Sequence, residues 1–326
     1  MNKPHCVVFN DNQEIKRRTS GAYRFANLME RRGWRVTVVD WVSSWSEQEL
    51  THYLDCIVGE DTQLFGISYT WLTPEWTQEF VAKMRSRYPG IPFVLGGQQF
   101  VQRDLGVDVA LYGYSELALD HALEWLLMGG DLPRGAVRPL ELGGTLLVDC
   151  NKFYPAMNLG EYAITYRPDD FVEPYEQLTV ELSRGCKFKC KYCNYAFLGI
   201  REDTSTAESL LRKELVENHR RWGTHLYIIA DDTLNDRDTK LEMLARVVES
   251  LEFEVNFASF IRIDLVAANP HQMELLSRAR VWNHFYGVET FHALAGRAVG
   301  KGMSPDRIKA ALLDMRSHMM RELGVS

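Results

Sequence analysis

The chain has 326 residues, 46% of them apolar and 25% charged, proportions ordinary for a globular protein long enough for two domains. Its formal charge of -7, from 37 basic and 44 acidic side chains, offers no broad cationic surface, so general nucleic-acid binding is disfavoured and only a local basic patch could read one RNA. No apolar run approaches the roughly 18 residues of a membrane span, and the start lacks the apolar core of a secretory signal, so no membrane association and a reducing, cytoplasmic location are expected. Cys6, Cys56 and Cys150 are scattered, which argues against a disulfide framework.

Residues 1–135 alternate apolar runs with helical patterns. His5–Phe9 reads as a strand, followed by a polar loop, Asn10–Ser20, and a helix over Gly21–Arg32 with Tyr23, Phe25, Leu28 and Met29 on its apolar face. Strands are predicted at Arg35–Asp40, Gln63–Ser68, Ile91–Leu95 and Asp108–Tyr112, and helices at Glu47–Ile57 and Ser115–Met128. Between the strands at 63–68 and 91–95, Thr73, Pro74 and Glu75 open another helix with a cap, a first-turn proline and an acid. This alternation predicts an α/β domain with a Rossmann-like, doubly wound parallel sheet. Ligands of such sheets lie beyond the carboxyl ends of the strands, which selects Tyr69, Thr70, Gly96, Gly97, Gln98, Gly113, Tyr114 and Glu116 as candidate contacts. The Gly96-Gly97 pair reads as a tight turn or as close backbone approach to a cofactor.

Residues 136–177, rich in Gly and Pro, read as a connector with strand-like pieces at Leu146–Val148 and Tyr162–Tyr166. From 178 to 326 the pattern predicts strands at Leu178–Leu182, Leu226–Ala230, Phe253–Phe257 and Trp282–Val288. The helices between them are Ser205–Arg221, capped by Ser205 or Thr206, then Asp236–Glu249 and one beginning at Asn269; a last helix, capped at Ser304, reaches Glu322. This is a partial (β/α) barrel of about four β-α units, whose functional groups are expected at the carboxyl ends of its strands. That criterion selects Asp231, Asp232, Asn256, Ser259, Glu289 and Thr290, with Arg297 and Lys301 as cations for the Glu289 carboxylate.

The first of these strands feeds Cys186-Lys-Phe-Lys-Cys190-Lys-Tyr-Cys193, a C-x3-C-x2-C run. Three thiolates on one short loop suit iron-sulfur, zinc or copper, because soft sulfur prefers these metals to hard cations. The paired spacing of a structural zinc site is absent, and no cysteine follows Cys193. Lys187, Lys189 and Lys191 favour thiolates. With three cysteines in the run, one iron of a cubane is either ligated from elsewhere or left open.

The run, with Tyr192 just before its last cysteine, resembles the signature of the radical S-adenosylmethionine (SAM) enzymes. The resemblance implies a [4Fe-4S] cluster on Cys186, Cys190 and Cys193, with SAM chelating the remaining iron and being cleaved reductively to a 5'-deoxyadenosyl radical. It implies further that Tyr192 lies beside the adenine, that Asp231 and Asp232 receive the methionyl amine, and that Gly287-Val-Glu-Thr290 lies near the methionine and ribose. The segments Leu64–Ser68, Phe93–Gly97 and Asp108–Glu116 resemble strand ends of the cobalamin-binding domain that often precedes such a core. Asn10–Ser20 contains no cobalt-ligating histidine, and members of that family either bind cobalamin without one or keep the fold and bind none. The expected activity is radical SAM chemistry driving cobalamin-dependent methylation; the alternatives are a cobalamin-independent rearrangement or cyclisation, and a non-catalytic cluster-bearing subunit. A flavodoxin or ferredoxin is the expected electron donor. The resemblance implies a barrel of six β-α units, whereas this sequence stops at 323–326, where a fifth strand would begin; a separate partner chain or companion domain is expected to complete it, the alternatives being a dimer formed over the open edge and a truncated chain.

Overall fold

A computed structural model of the chain describes residues 3–12, 18–155, 157–193, 204–301 and 303–322. It divides into two units, residues 1–157 with 164–171, and residues 158–163 with 172–326.

In the first unit, β1 (His5–Phe9), β2 (Arg35–Val39), β3 (Thr62–Ser68), β4 (Phe93–Gly97), β5 (Val109–Tyr112) and β6 (Leu146–Asp149) form a parallel sheet in the order β2-β1-β3-β4-β5-β6. All five residues of β1 are buried, as expected of a parallel strand covered on both faces. The helices are α1 (Ser20–Arg31), α2 (Glu47–Ile57), α3 (Pro74–Arg87), α4 (Leu119–Met128) and the single turn α5 (Cys150–Phe153). Val7, Phe9, Phe65, Ile67, Phe93 and Leu95 share one core cluster with Leu50 and Leu54 of α2 and Phe80 and Val81 of α3. The predicted cap of α3 is present, Thr73 Oγ1 accepting from Trp76 N at 3.3 Å.

The sheet has one strand more than the sequence pattern suggested. β6 comes from the segment read as a connector, because Leu146–Asp149 extends the ladder beside β5 and an antiparallel bridge from Val137 to Leu147 tucks the preceding chain against it.

In the second unit, β7 (Leu178–Val180), β10 (Leu226–Ile229), β11 (Asn256–Ile261) and β12 (Val281–Tyr286) form a parallel sheet in the order β12-β11-β10-β7. A short antiparallel pair, β8 (Ser183–Arg184) and β9 (Thr204–Ser205), stands apart from it. The helices are α6 (Glu208–Trp222), α7 (Asp238–Glu249), α8 (Ile263–Ala268), α9 (Gln272–Arg278), α10 (Ala293–Ala298) and α11 (Pro305–Glu322). Among the boundaries that differ from expectation, two bear on the site. Ser205 and Thr206 do not cap α6; Ser205 pairs with Ser183, and Thr206 N donates to Leu182 O at 2.7 Å. The third strand runs over 256–261 rather than 253–257, because Phe253 leaves the sheet to stack on His219 at 3.8 Å while the ladder continues through Ile261.

Tyr227, Ile229, Phe257, Ser259, Ile261 and Val281 are buried along one face of this sheet. On the opposite face Ala258 is buried and Ile228 half-buried, whereas Phe260 is 49% exposed and Phe285 41%, with ring centroids 5.3 Å apart. The position at which a fifth strand was expected to begin, 323–326, lies outside the described residues.

His5 gives this fold a pH dependence. Its Nδ1 meets Thr62 Oγ1 and its Nε2 meets Thr37 Oγ1, each at 3.0 Å, tying β1 to both neighbours. Burial, with help from Arg35, lowers its pKa from 6.5 to about 4. A histidine depressed in the folded state stabilises it fully above its unfolded value, and that contribution is lost as pH falls from about 6.5 towards about 4. In urea titrations, His5→Gln should therefore flatten the decline in stability across this window; parallel slopes for variant and wild type would contradict the assignment.

Candidate functional site

The cysteine loop starts where β7 ends, and a buried carboxylate anchors its root. Asp231, one residue past the apolar end of β10, accepts from Leu182 N at 2.8 Å and Ser183 N at 3.0 Å through Oδ1, and from the Ser183 hydroxyl at 2.6 Å through Oδ2. Lys240 of α7 stands 3.2 Å from Oδ2 and also donates to Ser183 Oγ at 2.8 Å and Thr233 O at 2.9 Å. A second carboxylate, Asp236, lies 2.8 Å from the same ammonium. Burial pushes the Asp231 carboxyl above its ordinary value, against the pull of Lys240 and the three donors from 182 and 183. Asp231 thus spends its contacts on the chain itself and fixes the loop's departure angle. Next along, Glu181 and Arg184 pair at 2.5 Å, and Gly185 turns with φ 93°, a conformation that disfavours any side chain before Cys186.

Cys186 is half-buried with its sulfur 3.8 Å from Thr233 Oγ1, and Cys190 is buried. Cys193 is half-buried, its N–H turning back to Cys190 O at 3.1 Å. Lys191 N donates to Val299 O at 3.2 Å, and the Lys187 ammonium donates to Asp236 O, so both flanks of the loop are fastened. The Cys190 sulfur accepts from Arg262 Nη1 at 3.2 Å. Among the described residues, no group of three or more His, Cys, Asp or Glu side chains is gathered tightly enough to hold a single metal ion.

Beyond β12 the chain folds back over the loop. The Tyr192 hydroxyl donates to Glu289 Oε1 at 2.7 Å, and partial burial followed by this carboxylate pushes the phenol well above its ordinary value. Lys301 Nζ lies 4.0 Å from the same oxygen and donates to Gly287 O at 2.6 Å. The structure thus brings Cys186, Cys190, Tyr192, Glu289 and Lys301 to the carboxyl-terminal side of the sheet, where half-buried Asp232 follows β10.

Three predicted residues lie elsewhere. Asn256 begins β11 instead of ending it, and its Oδ1 accepts from Arg280 Nε at 3.2 Å, a consequence of the three-residue shift in that strand. Ser259 lies mid-strand on the buried face. Arg297 is exposed on α10, and the cation beside Glu289 is Lys301. Sequence reasoning missed Arg262, the residue that actually follows the carboxyl end of β11, along with Lys240 and Asn235. An apolar run read through to Ile261 would have exposed Arg262, but no signal in the sequence marks Lys240 or Asn235.

In the first unit the candidate loops meet at the carboxyl ends of β3, β4 and β5. Tyr69 N donates to Gly96 O at 2.7 Å, and Gly113 N to Gly97 O at 2.8 Å. A Cβ on Gly97 would fall 2.1 Å from Tyr69 O, so close backbone packing requires this glycine. Thr70 O accepts from the Gln99 side chain, and Tyr114 N donates to Asn151 Oδ1 at 2.9 Å. Gln98 and Glu116 are half-buried on these loops, while Trp71, Phe100 and Leu117 are exposed. Residues 13–17 of the first loop lie outside the described residues.

Residues 180–326 match the radical SAM superfamily. This stretch is a radical SAM domain. The chain's fold is shared with TsrM, a radical SAM methyltransferase from Kitasatospora setae, at a TM-score of 0.73 and 13% identity, over 99% of this chain and 66% of that one. OxsB, a cobalamin-dependent SAM radical enzyme, gives a TM-score of 0.73 at 15% identity over 97% of this chain and 48% of its own. An uncharacterized methyltransferase, sll1242, of Synechocystis sp. is 27% identical over 123 residues, 36% of this chain. The chain spans 23% of that relative and about half of OxsB. No helix among the described residues is long and apolar enough to cross a membrane.

Because Asp231 and Lys240 are both buried, separating their charges is costly. Asp231→Asn is expected to lower unfolding free energy by about 3 kcal/mol, the lower end for a broken buried pair since Asp236 remains with the ammonium. Chemical denaturation measures this directly, and a loss below about 1 kcal/mol, the range of an exposed pair, would remove the pair from its anchoring role.

Proposed function

We propose that this protein cleaves SAM reductively at a [4Fe-4S] cluster held by Cys186, Cys190 and Cys193. The observation that carries the reading is the anchored three-cysteine loop of a radical SAM domain, with a guanidinium donating to Cys190 Sγ and Tyr192 joined to Glu289 across it. The donor set fits the cluster: soft sulfur ligands on a loop whose root is fixed independently of any metal, with a charged donor directed at one sulfur. When bound, the cluster supplies one electron to the SAM sulfonium, giving methionine and a 5'-deoxyadenosyl radical.

The protein's own part is to bind and orient. Glu289 and Asp232 present carboxylates for the methionyl amine and ribose hydroxyls of SAM. Lys301 lies 4.0 Å from the Glu289 carboxylate and holds Gly287 through its carbonyl. Tyr192 presents an aromatic ring to the adenine and is steered by its bond to Glu289.

Methyl transfer through cobalamin is the finer reading. It is supported by the methyltransferase names of TsrM and sll1242, and by the exposed apolar side chains Trp71, Phe100 and Leu117 on the loops that follow β3, β4 and β5, which suit a large amphiphilic ligand. The exposed Phe260 and Phe285 support a further partner, a companion domain or second chain that covers them. A low-potential flavodoxin or ferredoxin would supply the electron.

After anaerobic reconstitution, the wild type should bind iron and release 5'-deoxyadenosine from SAM under reductant, whereas Cys190→Ala should lose both. Glu289→Gln should keep its iron and bind SAM roughly tenfold more weakly, about 1.4 kcal/mol by calorimetry. Unchanged affinity would exclude Glu289 from the SAM site, and wild type with a full complement of iron but no 5'-deoxyadenosine would favour the non-catalytic subunit.

A further inference from the structure

Arg262 reaches the cysteine loop from the end of β11, and contacts independent of the sulfur fix its position. Its Nε and Nη2 meet Asp264 at 3.1 and 2.6 Å, and its guanidinium carbon lies 3.9 Å from the centre of the Phe188 ring. Asn235 holds its backbone from both sides: Oδ1 accepts from Arg262 N at 2.9 Å, and Nδ2 donates to Arg262 O at 3.0 Å. Asn235 Nδ2 also donates to Gln272 Oε1 at 3.0 Å, which ties the clamp to α9. The remaining nitrogen, Nη1, is thereby directed at Cys190 Sγ.

A charged donor on a ligating sulfur stabilises whichever state of the metal centre is more negative. Reduction adds one negative charge to an iron-sulfur cluster, and both Cys190 and Arg262 are buried, where the field of a guanidinium is weakly screened. Asp264 offsets part of that cation and at the same time locks its orientation. Cys190 receives a charged donor at 3.2 Å, whereas Cys186 has a hydroxyl at 3.8 Å.

Resting on the cluster reading above, we propose that Arg262 is a positioning residue that raises the reduction potential of the cluster through the Cys190 sulfur. The step it adjusts is a single electron transfer: an iron-sulfur or flavin donor protein of low potential loses one electron and the cluster gains it. No bond or proton is exchanged. Asn235 and Asp264 serve this function at one remove, by fixing where the guanidinium points.

The test compares reconstituted wild type, Arg262→Gln and Arg262→Lys by iron content and by the midpoint potential of the cluster in a redox titration. Arg262→Gln is expected to bind as much iron as wild type and to be harder to reduce by at least tenfold in the equilibrium constant, about 59 mV for one electron. Arg262→Lys, which keeps the charge and loses the fork, should fall between the two. Equal midpoints in wild type and Arg262→Gln at equal iron content would overturn the proposal. So would failure of both variants to take up iron, which would make Arg262 part of the scaffold alone. A wild type that takes up no iron would fail at the earlier reading and remove this one with it.

Discussion

An ion pair shielded from water, Asp231 with Lys240, decides where the cysteine loop leaves the sheet. A buried carboxylate is tolerated only when its acceptor sites are filled, and here two backbone N–H groups, a hydroxyl and an ammonium fill them. Two of these donors are the backbone amides of 182 and 183, the residues that lead into Arg184, Gly185 and Cys186. The arrangement thus converts an electrostatic requirement into a geometric one: removing the charge would free the root of the loop as well as unbalance the core.

The carboxyl ends of the four parallel strands then contribute in turn. β7 delivers the cysteines, β10 the aspartates, β11 Arg262, and β12 the turn containing Glu289. Because parallel strands all point the same way, groups distant in sequence arrive on one side of the sheet without long loops. Tyr192 and Glu289, 97 residues apart, meet at 2.7 Å by this route, and Arg262 meets Cys190 across 72 residues at 3.2 Å.

Much of this was legible beforehand, because the signals were local. Alternating apolar runs located most of the strands, the Thr73-Pro74-Glu75 start located α3, and the spacing of Cys186, Cys190 and Cys193 marked a loop that lies within the radical SAM match. What escaped depended on partners distant in sequence. Phe253, Val255 and Phe257 alternate like a strand, yet Phe253 finds a better partner in His219, and the resulting shift carried Asn256 to the wrong end and hid Arg262. Leu146–Asp149 is too short and too glycine-flanked to stand as a strand until β5 offers a ladder. Asp231 and Asp232 look equivalent in sequence; only the burial of Lys240 against the first distinguishes the anchor from its half-buried neighbour.

The central claim is a cluster on three cysteines with one iron left for SAM. Electron paramagnetic resonance of the reconstituted, one-electron-reduced protein, recorded with and without SAM, addresses it most directly. The account predicts a reduced-cluster spectrum that changes shape when SAM is added. Zinc in place of iron, or an iron spectrum indifferent to SAM, would contradict it.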